Sequence, residues 1–173
     1  MKSVLLSIRP KWCELIASGK KTVEVRKTRP KIEPPFKCYI YRTNGGRVIG
    51  EFVCDEVMPI VGVGFTSQKG IEYCLRRSDW SVKEFDYAAA CFSPETLKQY
   101  LTGKGSGYSW HISDLKIYDK PKELGNFWKA DKCPYATESG CTYKYHCFRA
   151  GQTQRCGETL TRPPQSWCYV EEL

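Results

Sequence analysis

Eight consecutive residues, Gly19-Lys20-Lys21-Thr22-Val23-Glu24-Val25-Arg26, hold cations, a carboxylate and a hydroxyl at a spacing that could do chemistry. From Thr22 to Lys27, Val23 and Val25 alternate with polar neighbours, the period of a half-buried strand. With the valines toward a core, Thr22, Glu24 and Arg26 share the opposite face, and Lys21 lies in the turn before it. One carboxylate then sits between cations on a short, fixed element. The pattern fits a solvent-facing row of ion pairs, which stabilises by at most about 1 kcal/mol. It fits equally a cleft where Lys21 and Arg26 meet a phosphate or a base edge while Glu24 orients them.

The surrounding charge bears on that choice. The chain has 173 residues, 27 Lys+Arg against 19 Asp+Glu, and a formal net charge of +8. Residues 1–50 hold 12 basic residues against Glu14, Glu24 and Glu33, while the remaining 123 hold 15 basic and 16 acidic. Half of the first group lies between Lys20 and Lys31. So concentrated a field is the footprint of a phosphate-binding surface, and also of a basic face that only keeps a protein soluble. RNA or DNA is the partner it points to, with Lys20, Lys27 and Arg29 joining Lys21 and Arg26.

A second set of reactive side chains crowds the last quarter. Cys133, Cys141, Cys147 and Cys156 are spaced C-x7-C-x5-C-x8-C, followed by Cys168. The spacing of the first three cysteines resembles a CCCH-type zinc finger, with Gly151 where the histidine would stand and Cys156 as the replacement. Four thiolates on one structural Zn²⁺ would order a segment, about 129–159, that lacks an apolar period. Free thiols and disulfides remain alternatives. Cys13, Cys38, Cys54, Cys74 and Cys91 lie among apolar neighbours and are expected to pack as small hydrophobes.

The elements that must position these groups follow from punctuation and period. Lys2–Ile8 is a short apolar strand. Pro10 opens a helix with Trp12, Leu15 and Ile16 at helical spacing, and Gly19 ends it. Lys37–Arg42 and Arg47–Glu56 form a hairpin across Thr43-Asn44-Gly45-Gly46. Helical pieces are expected at Ile71–Arg76 and Val82–Ala90, and a better helix runs from a Ser93 cap with Pro94 to Gly103. Tyr108–Tyr118 alternates again, and Gln165–Glu171 forms a closing strand with Trp167 and Tyr169 on one face. Strands with irregularly placed helices imply an α+β class with a small antiparallel or mixed barrel. With 41% hydrophobic and 27% charged residues, wholesale disorder is excluded. No run approaches the roughly 18 apolar residues of a membrane span, and Val4–Ile8 is too short for a secretory signal. A cytoplasmic protein with no membrane partner is expected.

The run Gly19, Lys21, Glu24, Arg26 matches the G-x-K-x-x-E-x-R signature of the ASCH domains, a branch of the PUA-like superfamily, which this sequence resembles. The order of elements agrees, as do Tyr108-Ser109-Trp110-His111-Ile112 in a later strand. The terminal stretch Arg162 to Glu172 looks like the end of small bacterial and phage-type members. The resemblance covers roughly 1–128 and 160–173 as one domain, with 129–159 as a Cys-rich insert before the last strand. It implies a PUA-like small β-barrel with flanking helices and a cleft lined by the signature. It also implies RNA or DNA binding, RNA before DNA, with a single base in an aromatic pocket for which Tyr108, Trp110 and His111 are candidates. Some members are amidohydrolases on acetylated cytidine, using a Thr nucleophile, a Lys and a Glu. Lys21 matches that lysine, but Glu24 stands where the nucleophile would be. Others are ribonucleases, which a Lys21, Glu24 and Arg26 set supports by acid–base chemistry. A modified nucleoside or RNA hydrolysed with Lys21 and Glu24 is therefore the alternative to a binding module.

Overall fold

The computed structural model describes residues 3–64, 71–102, 105–129 and 158–172. The apolar opening run forms β1 (Ser3–Ile8), whose Val4, Leu5 and Leu6 are fully buried. Arg9 and Pro10 end it, and Pro10 starts α1 (Pro10–Ala17), because proline has no N–H to lose in a first turn. Gly19 takes a φ of +73° and turns the chain into β2 (Val23–Arg26). Next come β3 (Phe36–Arg42) and β4 (Arg47–Cys54), joined across a turn in which Asn44 and Gly46 have positive φ. Then follow β5 (Val57–Gly64), β6 (Ile71–Arg76), β7 (Val82–Glu84) and the short α2 (Tyr87–Ala90). Helix α3 (Pro94–Leu101) carries the expected Ser93 cap, and the Thr96 side chain completes a capping box. The described chain closes with β8 (Ser106–His111), β9 (Ser113–Glu123), a 3₁₀ turn, β10 (Phe127–Lys129), β11 (Glu158–Thr159) and β12 (Trp167–Glu172).

The strands form two sheets, one ordered β11-β10-β12-β1-β3-β4-β9 and the other β2-β8-β5-β6-β7. Strand β1 is central in the first because both its faces are apolar. It pairs parallel with β3 and antiparallel with β12. Of the expected small antiparallel or mixed barrel the structure bears out the strand-rich α+β arrangement, with no closed barrel among the described residues. Strand β7, an edge of the small sheet, is exposed along its whole length, and β9, an edge of the large one, carries Lys116, Lys120, Pro121 and Lys122. Lysines and a proline are edge-strand residues that resist further pairing.

One buried cluster joins β1, β3, β4 and α1 to Trp110 of β8, and a second lies on the other face of the large sheet around Leu5, Tyr39 and Phe127. The third packs α2 and α3 on the small sheet through Val25, Ile60, Leu75, Leu97 and Leu101. Residues 71–76, expected as a helix, are strand β6. Tyr73 and Leu75 alternate into the third cluster, a period of two that outweighs the helical spacing of Ile71, Cys74 and Leu75. Val82–Ala90 is likewise a strand followed by one helical turn. Cys13, Cys38 and Cys54 are buried as expected, and burial pushes the Cys13 and Cys54 thiols up to about 12, whereas Cys74 and Cys91 are half-buried. The quartet Cys133, Cys141, Cys147 and Cys156 lies outside the described residues. Among the described residues no helix is long and apolar enough to cross a membrane.

Candidate functional site

A cavity of about 610 Å³ opens at the seam between the two sheets. Strand β2 is the edge of the small sheet there, and it delivers the signature side chains. Val25 faces α3, as its alternation requires, and is 3% exposed. The opposite face is not solvent, which corrects the expectation drawn from period alone. Glu24 is 6% and Arg26 7% exposed, and Lys21 only 2%. The large sheet and its last segment cover that side.

Buried charges need compensation, and here it comes from distant chain. Lys21 Nζ donates to the Ala90 carbonyl at 2.6 Å and stands 3.6 Å from Glu24 Oε2. Glu24 Oε1 lies 3.0 Å from Arg26 Nε. That N–H finds no directed acceptor among the described residues, so the pair is held by charge and not by a hydrogen bond. Arg26 spends its terminal nitrogens on distant chain: Nη2 donates to Ser7 O at 2.9 Å, and Nη1 to Ser166 O and Oγ, both at 3.3 Å. It thereby staples β2 to β1 and to the approach to β12. Burial lowers the Lys21 pKa from 10.5, and the Glu24 charge only partly offsets this. The amine is thus neutral in a larger fraction of molecules at a given pH than an exposed lysine, with a carboxylate beside it.

Above this floor stands an aromatic wall. Trp12 of α1 and Phe92, after α2, stack with centroids 5.4 Å apart, and Tyr100 of α3 follows at 5.8 Å from Phe92. The Lys21 ammonium lies 5.0 Å from the Trp12 ring and 5.3 Å from that of Phe92, within cation–π range. Tyr100 donates its hydroxyl to Val25 O. Arg9 and Lys27 complete the cationic lining, giving four cations (Arg9, Lys21, Arg26, Lys27) against one carboxylate (Glu24). Besides Tyr100, the hydroxyl-bearing residues that line the cleft are Ser7, Thr28, Thr43 and Ser166. Thr22 is exposed and is not among the lining residues.

The structure therefore brings together Lys21, Glu24, Arg26 and Lys27, and leaves other candidates elsewhere. Lys20 and Arg29 are exposed outside the lining, Arg29 beside Glu33 at 3.3 Å. Trp110 is fully buried, edge-on to Phe36 at 5.7 Å, so its alternation with Ile112 marks core. Tyr108 is half-buried against the same core. His111 Nδ1 lies 2.7 Å from Asp55 Oδ1 in an exposed pair outside the cleft. The sequence reading missed Trp12, Phe92 and Tyr100. Only the position of Trp12, on the Pro-started helix that leads into the signature, was available as a signal.

Fold and site together define a strand-rich domain in which Lys21, Glu24 and Arg26 of the G-x-K-x-x-E-x-R run line one cavity with Trp12, Phe92 and Tyr100. A family model, the ASCH domain, matches residues 6–121, and the chain belongs to that family, which is generally associated with RNA binding. The crystal structure of ASCH from Zymomonas mobilis superposes with a TM-score of 0.57 at 20% identity, over 98% of this chain and 87% of that one. A tyrosine-to-phenylalanine variant of the same protein aligns with a TM-score of 0.56 at 20% identity, covering 99% of this chain and 91% of that one. At such identity the likeness shows the fold. No curated protein matches the sequence.

Proposed function

We propose that this chain binds a strand of RNA, or less favourably DNA, by taking one nucleotide unit into the cleft. The base lies against Trp12, Phe92 and Tyr100, its polar edge meets Lys21 and Glu24, and Arg9 and Lys27 meet the flanking phosphates. The observation that carries this reading is a buried Lys21–Glu24–Arg26 set under an aromatic wall, in a cavity of about 610 Å³. That size suits a drug-sized ligand such as one nucleotide and excludes a duplex. Base stacking on aromatic faces and a cationic surround are how single strands are held. The family's association with RNA favours RNA over DNA.

The test is fluorescence anisotropy with single-stranded oligonucleotides across a salt series. Affinity is expected to fall steeply with salt through counterion release. Lys27→Glu should weaken binding across sequences and flatten the salt slope by about one unit or more. Trp12→Ala should cost about 1–3 kcal/mol. Affinity that ignores both salt and these substitutions would overturn the reading.

A second reading, hydrolysis of a modified nucleoside or short RNA, is favoured by one observation, the lowered Lys21 amine beside Glu24. Under it Glu24→Gln loses turnover by roughly 10²-fold or more, whereas a binding module keeps most of its affinity. Wild-type protein that turns over neither acetylated cytidine nor short RNA would remove it.

A further inference from the structure

We propose that the β6–β7 hairpin is a second contact for single-stranded nucleic acid, with an unpaired base stacked on Trp80 and the adjoining phosphates met by Arg76 and Arg77. The ligand class rests on the function proposed above, but the site is separate from the cleft.

Trp80 is 76% exposed and Val82 56%, the two most exposed large apolar side chains among the described residues. Trp80 also has a φ of +67°. Glycine or asparagine adopts that backbone at less cost. Folding alone therefore gives no reason for an indole at this position. The turn that presents it is well fastened. Arg77 N donates to Ser81 O at 2.9 Å, Trp80 N to Arg77 O at 3.1 Å, and Ser81 N and Oγ both donate to Asp79 Oδ1, at 2.9 and 2.6 Å. The ring is thus offered on a rigid tip.

The chemistry of the tip selects the partner. The Arg76 guanidinium lies 4.9 Å from the Trp80 ring centroid, and the exposure of the indole leaves room for a second flat group. Arg76 and Arg77 outnumber the one carboxylate of the turn itself, Asp79, which Ser81 ties into the turn, while Glu72 and Glu84 share the Arg76 face further from the tip. An aromatic face with an excess of cations fits a base and its phosphates.

Sheet register links this tip to the cleft. Arg26 is paired with Tyr108, and Tyr108 with Pro59. Arg76 follows Leu75, the partner of Ile60, and so falls beside Pro59, with Val82 as its own partner. Directly opposed residues of antiparallel strands share a face. Arg26, Tyr108, Pro59, Arg76 and Val82 therefore form one row across the small sheet. From β2 to β7 the row spans about 19 Å at the usual strand spacing of ~4.8 Å. A strand of a few nucleotides held in the cleft can reach the hairpin.

The experiment measures anisotropy of a trinucleotide and of a single-stranded RNA of roughly 15 nucleotides with the full chain, comparing wild type, Trp80→Ala, Trp80→Phe and Trp12→Ala. Trp80→Ala is expected to weaken the longer RNA at least about fivefold and to leave the trinucleotide unchanged, with Trp80→Phe restoring most of the loss. An unchanged affinity for the longer RNA in Trp80→Ala would overturn the proposal while leaving the cleft reading standing. Loss in Trp80→Ala with none in Trp12→Ala would instead remove the cleft reading and keep this one. If Trp80→Ala abolishes a wild-type self-association without altering RNA affinity, the tip is a protein contact and the proposal fails. Matching thermal transitions of the variants guard against a folding artefact.

Discussion

Replacing Glu24 by Gln removes the only carboxylate among the residues lining the cleft while keeping its shape. Two cations then remain buried, Lys21 at 2% and Arg26 at 7% exposure, with carbonyl partners but no counter-charge. Removing one member of a buried pair costs roughly 3–5 kcal/mol, and the carbonyl oxygen that glutamine retains brings this toward about 2–4 kcal/mol. In a domain of this size that corresponds to a Tm lower by about 5–15 °C. An exposed ion-pair row would give at most about 1 kcal/mol. Urea unfolding followed by tryptophan fluorescence separates the two. Lys21→Met in the Glu24→Gln background should recover part of the loss, because it removes one uncompensated cation. A Glu24→Gln midpoint within about 0.5 kcal/mol of wild type would refute the buried counter-ion argument.

A Cβ at Gly107 would stand 2.7 Å from Leu101 Cδ2 and 2.9 Å from the Arg26 carbonyl, so Gly107→Ala should destabilise by about 1–3 kcal/mol in the same urea assay; an unchanged midpoint would show that β8 and α3 are not packed this closely. Burial holds the Lys21 amine below 10.5, so in the window from that lowered value up to 10.5 the unfolded chain binds the proton and the folded chain does not. Stability therefore rises with pH through that window, and Lys21→Met should lack the rise; parallel pH profiles of the two proteins would contradict it. The spacing of Cys133, Cys141, Cys147 and Cys156 predicts about one Zn²⁺ per purified chain, read by elemental analysis, and metal-free protein would refute that prediction.

The elements with punctuation were the ones legible in advance. Pro10 and Gly19 bracket α1, Asn44 and Gly46 turn the β3–β4 hairpin, and Ser93 with Pro94 opens α3. Strand β6 was misread because Ile71, Cys74 and Leu75 mimic a helical stripe over six residues, too short a window for the period to decide. The signature was legible as chemistry but not as burial. Period two says that Glu24 and Arg26 share a face; it does not say that a second sheet covers that face. The partners of Arg26, Ser7 O and Ser166 O, and that of Lys21, Ala90 O, are 19, 140 and 69 residues away in sequence. The aromatic wall was illegible for the same reason, since Trp12, Phe92 and Tyr100 come from separate elements. Trp110 was named for its type, and its alternation with Ile112 was the better guide.

The central claim is that a nucleotide unit sits in the cleft against the aromatic wall. Ultraviolet cross-linking of a bound trinucleotide, followed by peptide mapping, tests it most directly. The adduct is expected on Trp12, Phe92 or Tyr100, and to disappear when unlabelled trinucleotide competes. A competed adduct found only on peptides that contribute nothing to the cleft would contradict the account.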